Sequence, residues 1–209
     1  MSKDDAWLQP ISTDEPCGPN IEYDAEYVVL ASNLMPQVDV QYGKFIEKPT
    51  LPDWGEIERQ CRRLLLRSKD ICVLLWLARC RTRVAGVAGM LEALELLWAV
   101  LERYPDAVHP QLVLEDAYDP VVRANAITGL VDPDGFFGDV REAVVSPASA
   151  LRLTIRDIER ALAVPRGDDA LQPDAVRLQL AAMRAQGDPG LAQLAGCHHL
   201  VLKIQGWSS

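Results

Sequence analysis

Apolar positions recur at three- and four-residue intervals over most of the chain, the spacing of helices with one buried face. Tyr27, Leu30, Ala31 and Leu34 form the first stripe, on a helix predicted over 24–35 and ended by Pro36. Residues 36–52 hold three prolines and few periodic apolar positions, so they read as a long loop. Asp53 opens the next helix: with Glu56 it makes a capping-box pattern, and Ile57, Cys61, Leu64 and Leu65 follow as one stripe. Ser68 is placed to cap a third helix, with Asp70 in its first turn. Over 71–78 that helix is apolar on every side, which predicts a place at the centre of the domain. Val87, Met90, Leu91, Leu94, Leu97, Trp98 and Leu101 give a further helix, stopped by Tyr104-Pro105.

The second half carries three Asp-Pro pairs, each a capping side chain before a proline suited to the first helical position. They predict helices over 120–130, 133–144 and 189–204, with another over 174–185 that buries Val176, Leu180 and Met183. Leu151, Leu153 and Ile155 alternate as one short extended piece before Ile155, Ile158 and Leu162 turn to helical spacing. No internal repeat interrupts this order. The pattern therefore predicts an all-α bundle of about seven to nine helices with no substantial sheet. An extended, acidic, proline-bearing strap at the N-terminus packs across it, anchored by Trp7 and Tyr23.

Composition sharpens the picture in a few places. At 209 residues, 49% of them apolar and 24% charged, the chain can build a core and is no disordered polymer. Its longest unbroken apolar run, 71–78, falls short of the roughly 20 residues a membrane span takes. The start Met1-Ser-Lys-Asp-Asp lacks the basic region of a signal peptide, which points to a cytoplasmic location without membrane insertion. Net charge is -9, and residues 1–60 hold twelve acids against four bases. That is the wrong sign for nucleic acid. Five cysteines without a Cys-x-x-Cys pair read as reduced, mostly buried thiols.

Candidate chemistry is sparse. The chain has no phosphate-binding glycine loop, no nucleophile elbow and no His-Glu-x-x-His helix. Cys197, His198 and His199 are consecutive on a helix, about 100° apart, and cannot converge on one ion. Asp132-Pro-Asp134-Gly135 lacks the further oxygen ligands of a calcium loop, since Phe136 and Phe137 stand in their place. Glu115, Asp116 and Asp119 read as exposed acids. Arg59, Arg62, Arg63 and Arg67 line one helix as a candidate protein-interaction stripe. It suits an acidic partner or the chain's own acidic first segment, against the alternative of a solvated face. An enzyme built from scattered carboxylates and His109 is the competing class, and it demands a cleft in which they converge.

The run Pro16-Cys17-Gly18-Pro19-Asn20-Ile21-Glu22-Tyr23-Asp24 resembles the N-terminal signature of the TssA (ImpA-type) family of bacterial type VI secretion proteins. Pro52-Asp53-Trp54, Ser68-Lys69-Asp70-Ile71, Trp76-Leu77, Leu101-Glu102-Arg103-Tyr104, His109-Pro110, Asp119-Pro120, Arg123, Asn125-Ala126, Leu130 and Ile155-Arg156-Asp157-Ile158-Glu159 keep the family's order. The resemblance covers about residues 7–165. It implies an ImpA-type N-terminal helical domain over 1–165, with 166–209 as a helical extension on the same domain. It also implies a cytoplasmic component that is neither an enzyme nor a cofactor carrier. Its expected partners are baseplate, membrane-complex, tube or sheath subunits, with self-association as a further option and a purely structural oligomer as the alternative. Pro16, Gly18, Tyr23, Asp24, Trp54, Ser68, Lys69, Asp70, Trp76, His109, Pro110, Arg123 and Asn125 are expected to identify the fold, not a binding site.

Overall fold

Helix starts follow the capping chemistry of the sequence. In the computed structural model, which describes residues 5–35, 41–42, 45–46, 52–114, 117–146 and 152–208, a short α1 (Asp5–Leu8) precedes α2 (Ala25–Leu34). Asp24 caps α2 by accepting from the Glu26 N–H at 2.9 Å. Asp53 accepts from the Gly55 and Glu56 N–H groups to open α3 (Trp54–Leu65). Glu56 turns to Arg59 and Gln60 instead of closing the predicted capping box. Asp119 and Asp188 cap α5 (Pro120–Thr128) and α9 (Pro189–Trp207). A reciprocal box between Thr154 and Asp157 opens α7 (Ile155–Leu162), and α8 (Pro173–Ala185) starts on its proline.

Two starts differ from the sequence reading. Asp132 does not begin a helix; its carboxylate takes the Asp134 N–H in a turn, a 3₁₀ turn occupies Gly129–Val131, and α6 runs Phe136–Glu142. Ser68 is not the cap of the central helix α4 (Ile71–Arg103); Asp70 is, accepting from the Val73 N–H at 3.1 Å. The Ser68 hydroxyl donates instead to the Pro19 carbonyl at 2.7 Å and so fastens the strap.

The two apolar helices predicted over 71–78 and around 87–101 join without a loop. Gly86 sits inside α4 at φ 60 and ψ -144, outside any helical conformation. A straight helix of 33 residues is about 50 Å long. His109, however, pairs its backbone with Lys69 and Ile71 at 2.9 and 2.8 Å, and the stretch from 104 to 109 can span only about 20 Å. The arms 71–85 and 87–103 must therefore run back along one another, hinged at Gly86. An Arg81–Glu92 ion pair at 2.5 Å bridges them. Among the described helices α4 alone has the length and hydropathy of a membrane span, with mean hydropathy 1.8 over its most apolar window. Neither arm alone reaches the roughly 20 residues a span takes.

Both arms sit in the core. Leu74, Leu77, Leu94, Leu97 and Leu101 are buried there with Leu64 and Leu65 of α3 and Cys197, Leu200 and Ile204 of α9. Leu153, Ala161 and Val176 make a second small cluster between α7 and α8. The extended piece is one antiparallel bridge, Val144 to Thr154; Leu151 lies outside the described residues. Among the described residues, strand structure is otherwise a parallel bridge between Asp70 and His109 and two minimal hairpins. β1 (Gln41–Tyr42) pairs with β2 (Phe45–Ile46), Gln41 opposite Ile46. The first lies in the predicted loop, most of which falls outside the described residues. β3 (Val113–Leu114) pairs with β4 (Ala117–Tyr118), Val113 opposite Tyr118; Glu115 and Asp116 are likewise not described.

Trp7 anchors the strap as expected, buried beneath Arg62, whose guanidinium stands 4.4 Å from the ring centroid. Tyr23 does not: it is 89% exposed. With Asp24 turned inward as the cap of α2, its neighbour projects outward, and Cys17 and Ile21 supply the buried anchors instead.

The hinge gives the first prediction. A Cβ at Gly86 would meet the Val144 carbonyl at 3.0 Å in a backbone conformation that L-residues avoid. Gly86→Ala should lower unfolding stability by about 1–3 kcal/mol in urea titration; an unchanged midpoint would contradict the hinge geometry.

Candidate functional site

The motif residues converge where the strap crosses the corner between α3 and α4. Gly18 lies there at φ 72, and a Cβ on it would stand 2.2 Å from the Arg67 carbonyl. Only glycine allows that approach. The Lys69 N–H donates to the Cys17 carbonyl at 2.7 Å, and the His109 N–H to the Lys69 carbonyl at 2.9 Å. The His109 ring closes the loop: Nε2 lies 2.8 Å from the Gly18 carbonyl. A carbonyl only accepts, so Nε2 carries the proton. Three segments far apart in sequence are thus joined through main-chain groups.

Ionisable side chains complete this knot. Lys69 is buried, and its Nζ donates to the Leu65 carbonyl at 3.0 Å, at the negative end of α3. Burial pushes the Lys69 ammonium down to about 8 and the Asp70 carboxyl up to about 6, although backbone N–H groups of Val73 and Cys72 favour the ionised Asp70. Burial also raises the Cys17 thiol to about 11. Arg123 of α5 donates to the carbonyls of Pro105, Asp106, Val108 and Pro110, with Nη1 to Pro105 at 2.7 Å and Nε to Pro110 at 2.9 Å. Its guanidinium lies 5.5 Å from the Trp207 ring. It therefore shapes the turn after α4 and joins it to the end of α9.

The remaining motif positions are dispersed. Trp76 meets Tyr27 at 4.8 Å between ring centroids, Trp54 packs at the core edge, and the Pro16 carbonyl accepts from Ile11. Asn125 is exposed. On α9, Cys197 is buried while His198 and His199 are exposed. All five cysteines are free thiols. No group of three or more metal-ligating side chains occurs among the described residues.

Arg59, Arg62 and Arg63 lie on α3 and Arg67 in the turn just beyond it, so the four do not share one helix as expected; they pair with the chain's own acids. Arg63 binds Glu26 at 2.8 Å, Arg67 pairs with Asp24 and also with Glu26 at 3.3 Å, Arg59 pairs with Glu56, and Arg62 with Glu58. The bond from Arg67 holds the Asp24 carboxyl below the usual carboxylate range. A second basic cluster was not singled out from sequence. Asp139 of α6 is buried and receives Arg79 at 2.7 Å and Arg83 at 2.6 Å, both arginines lying over Trp54. Its signal was present: Arg79 and Arg83 are four apart beside the apolar run of α4.

Bundle and knot together define an all-α domain in which Ser68, Lys69, Asp70, His109 and Arg123 bind its own backbone. The profile of the family described as ImpA, N-terminal, type VI secretion system matches residues 8–132, and the chain belongs to that family. Over 124 residues it is 35% identical to the type VI secretion system component TssA1 of Pseudomonas aeruginosa. That alignment takes in 59% of this chain and 36% of the relative, so the chain spans about a third of its length. Among solved structures, it is similar to the N-terminal domain, including the conserved ImpA_N region, of the TssA component from Burkholderia cenocepacia. The TM-score is 0.63 at 20% identity, over 99% of this chain and 84% of that one. At that identity the likeness concerns the fold.

The buried cap makes stability depend on pH. Asp70 titrates near 6 when folded and near 3.8 when unfolded, so the stability it contributes is complete below about 4 and is lost as pH rises through 6. Asp70→Asn keeps a capping oxygen but cannot ionise. Between pH 4 and 6.5 the stability difference should therefore move by roughly 2 kcal/mol in favour of the variant. Urea titrations of both proteins across that range check this, and a constant difference contradicts it.

Proposed function

We propose that this chain is a docking domain of a type VI secretion component, without catalytic activity, that works in the cytoplasm. The observation that carries this reading is the use to which the family motif is put: Lys69, Asp70, His109 and Arg123 all bind main-chain groups of the chain itself. An enzyme of the competing class needs those groups turned toward a substrate. Family membership supplies the setting. In it the domain holds baseplate, membrane-complex, tube or sheath subunits while the tail is assembled. Its C-terminal helices, 166–209, act as an extension of the same bundle, since α9 returns to α4 and to Arg123.

Chemical crosslinking with mass spectrometry, using the chain and purified subunits of each of these four classes, tests the assignment. Specific crosslinks to at least one class are expected; none to any of them, with a folded chain, would remove the docking reading.

A further inference from the structure

A cavity of about 610 Å³ opens beside the α4 hinge. Arg83, Val84, Asp139, Glu142, Val144 and Arg152 line it, mixing apolar wall with charge. Counted by lining residues alone, the charges cancel. They do not cancel once the pairs behind the wall are included. Asp139 is already matched by Arg79 at 2.7 Å, and Glu142 by Arg156 at 2.7 Å. Arg83 shares a carboxylate that Arg79 also uses, and its side chain is 40% exposed. Arg152 is exposed and has no carboxylate partner among the described residues. On a chain of net charge -9, this hollow carries excess positive charge.

From this we infer that the hinge cavity seats an acidic side chain of a partner protein, with Arg83 and Arg152 as its cationic contacts. The volume argues for a peptide segment over a small anion, because a pocket of several hundred Å³ takes many heavy atoms. An inorganic anion would leave Val84 and Val144 uncovered, whereas an Asp or Glu next to an apolar residue satisfies both kinds of wall. Arg83 is also held in place, bonded to Asp139 and lying 5.2 Å from the Trp54 ring, so little side-chain freedom is lost when it meets a carboxylate. This deepens the docking reading and rests on it, naming one surface and the chemistry of what it receives.

The test titrates the isotope-labelled full chain with a short synthetic peptide of glutamate, valine and serine, followed by amide chemical shifts. Shifts should concentrate at 82–86, 139–144 and 152, and the glutamine version of the peptide should bind about tenfold more weakly. Arg152→Glu changes an exposed side chain and leaves the fold intact; it should also lose about tenfold. Arg83→Gln, which retains the Arg79–Asp139 pair, should act in the same direction. Equal binding by Arg152→Glu, equal binding of the glutamine peptide, or displacement of the peptide by inorganic phosphate would overturn the inference. Crosslinking to the secretion subunits separates the two readings. Capture by wild type but not by Arg152→Glu supports the hinge seat, and equal capture removes it while docking stands. Capture by neither removes docking.

Discussion

Buried backbone must find hydrogen-bond partners, and this fold meets that requirement at one place where three non-helical segments cross. The strap at Cys17-Gly18-Pro19, the corner at Ser68-Lys69-Asp70 and the turn at Val108-His109-Pro110 all lie against the core without a regular sheet or helix to satisfy them. They satisfy each other. Lys69 receives the strap on its N–H and the turn on its carbonyl, and the His109 ring reaches the strap a second time. Arg123 gathers the carbonyls that the turn leaves over. Leaving any such buried group unpaired costs about 1–3 kcal/mol, so each side chain of the knot protects a main-chain bond beyond its own.

That constraint gives the polar residues of the family motif a structural task inside the domain. The knot fixes both ends of the α4 hairpin, with Asp70 starting the first arm and the turn that holds His109 following the second. Helices α3, α6 and α9 then pack on a hairpin whose ends are tied and whose hinge is a single glycine. With Lys69, Asp70, His109 and Arg123 turned inward, the outer faces can vary without disturbing the fold. This suits a module whose partners read its surface.

Periodicity made most of this architecture readable in advance, because amphipathic stripes and Asp-Pro starts are local signals. Asp53, Asp119 and Asp188 cap the helices they precede, and the helix over 71–78 is central as its all-round apolarity required. What escaped was nonlocal. Ser68 and Asp70 offer equivalent capping oxygens two residues apart, and only the nearby Pro19 carbonyl decides that Ser68 holds the strap. Tyr23 looked like an anchor by its size, but the cap at Asp24 decides its direction. The arginine stripe was visible, and so was the acidic first segment, yet their pairing through Glu26 depends on where the strap lies. The knot was present as scattered motif residues whose convergence no spacing in the chain encodes.

The central claim, that the crossing of strap, corner and turn is a cooperative part of the core, is tested most directly by native-state hydrogen exchange at the amides of Lys69, Ile71 and His109. All three should exchange only through global unfolding, with protection equal to that of the most buried amides of α4. Exchange at the much faster rate of exposed turns, while α4 remains protected, would contradict it.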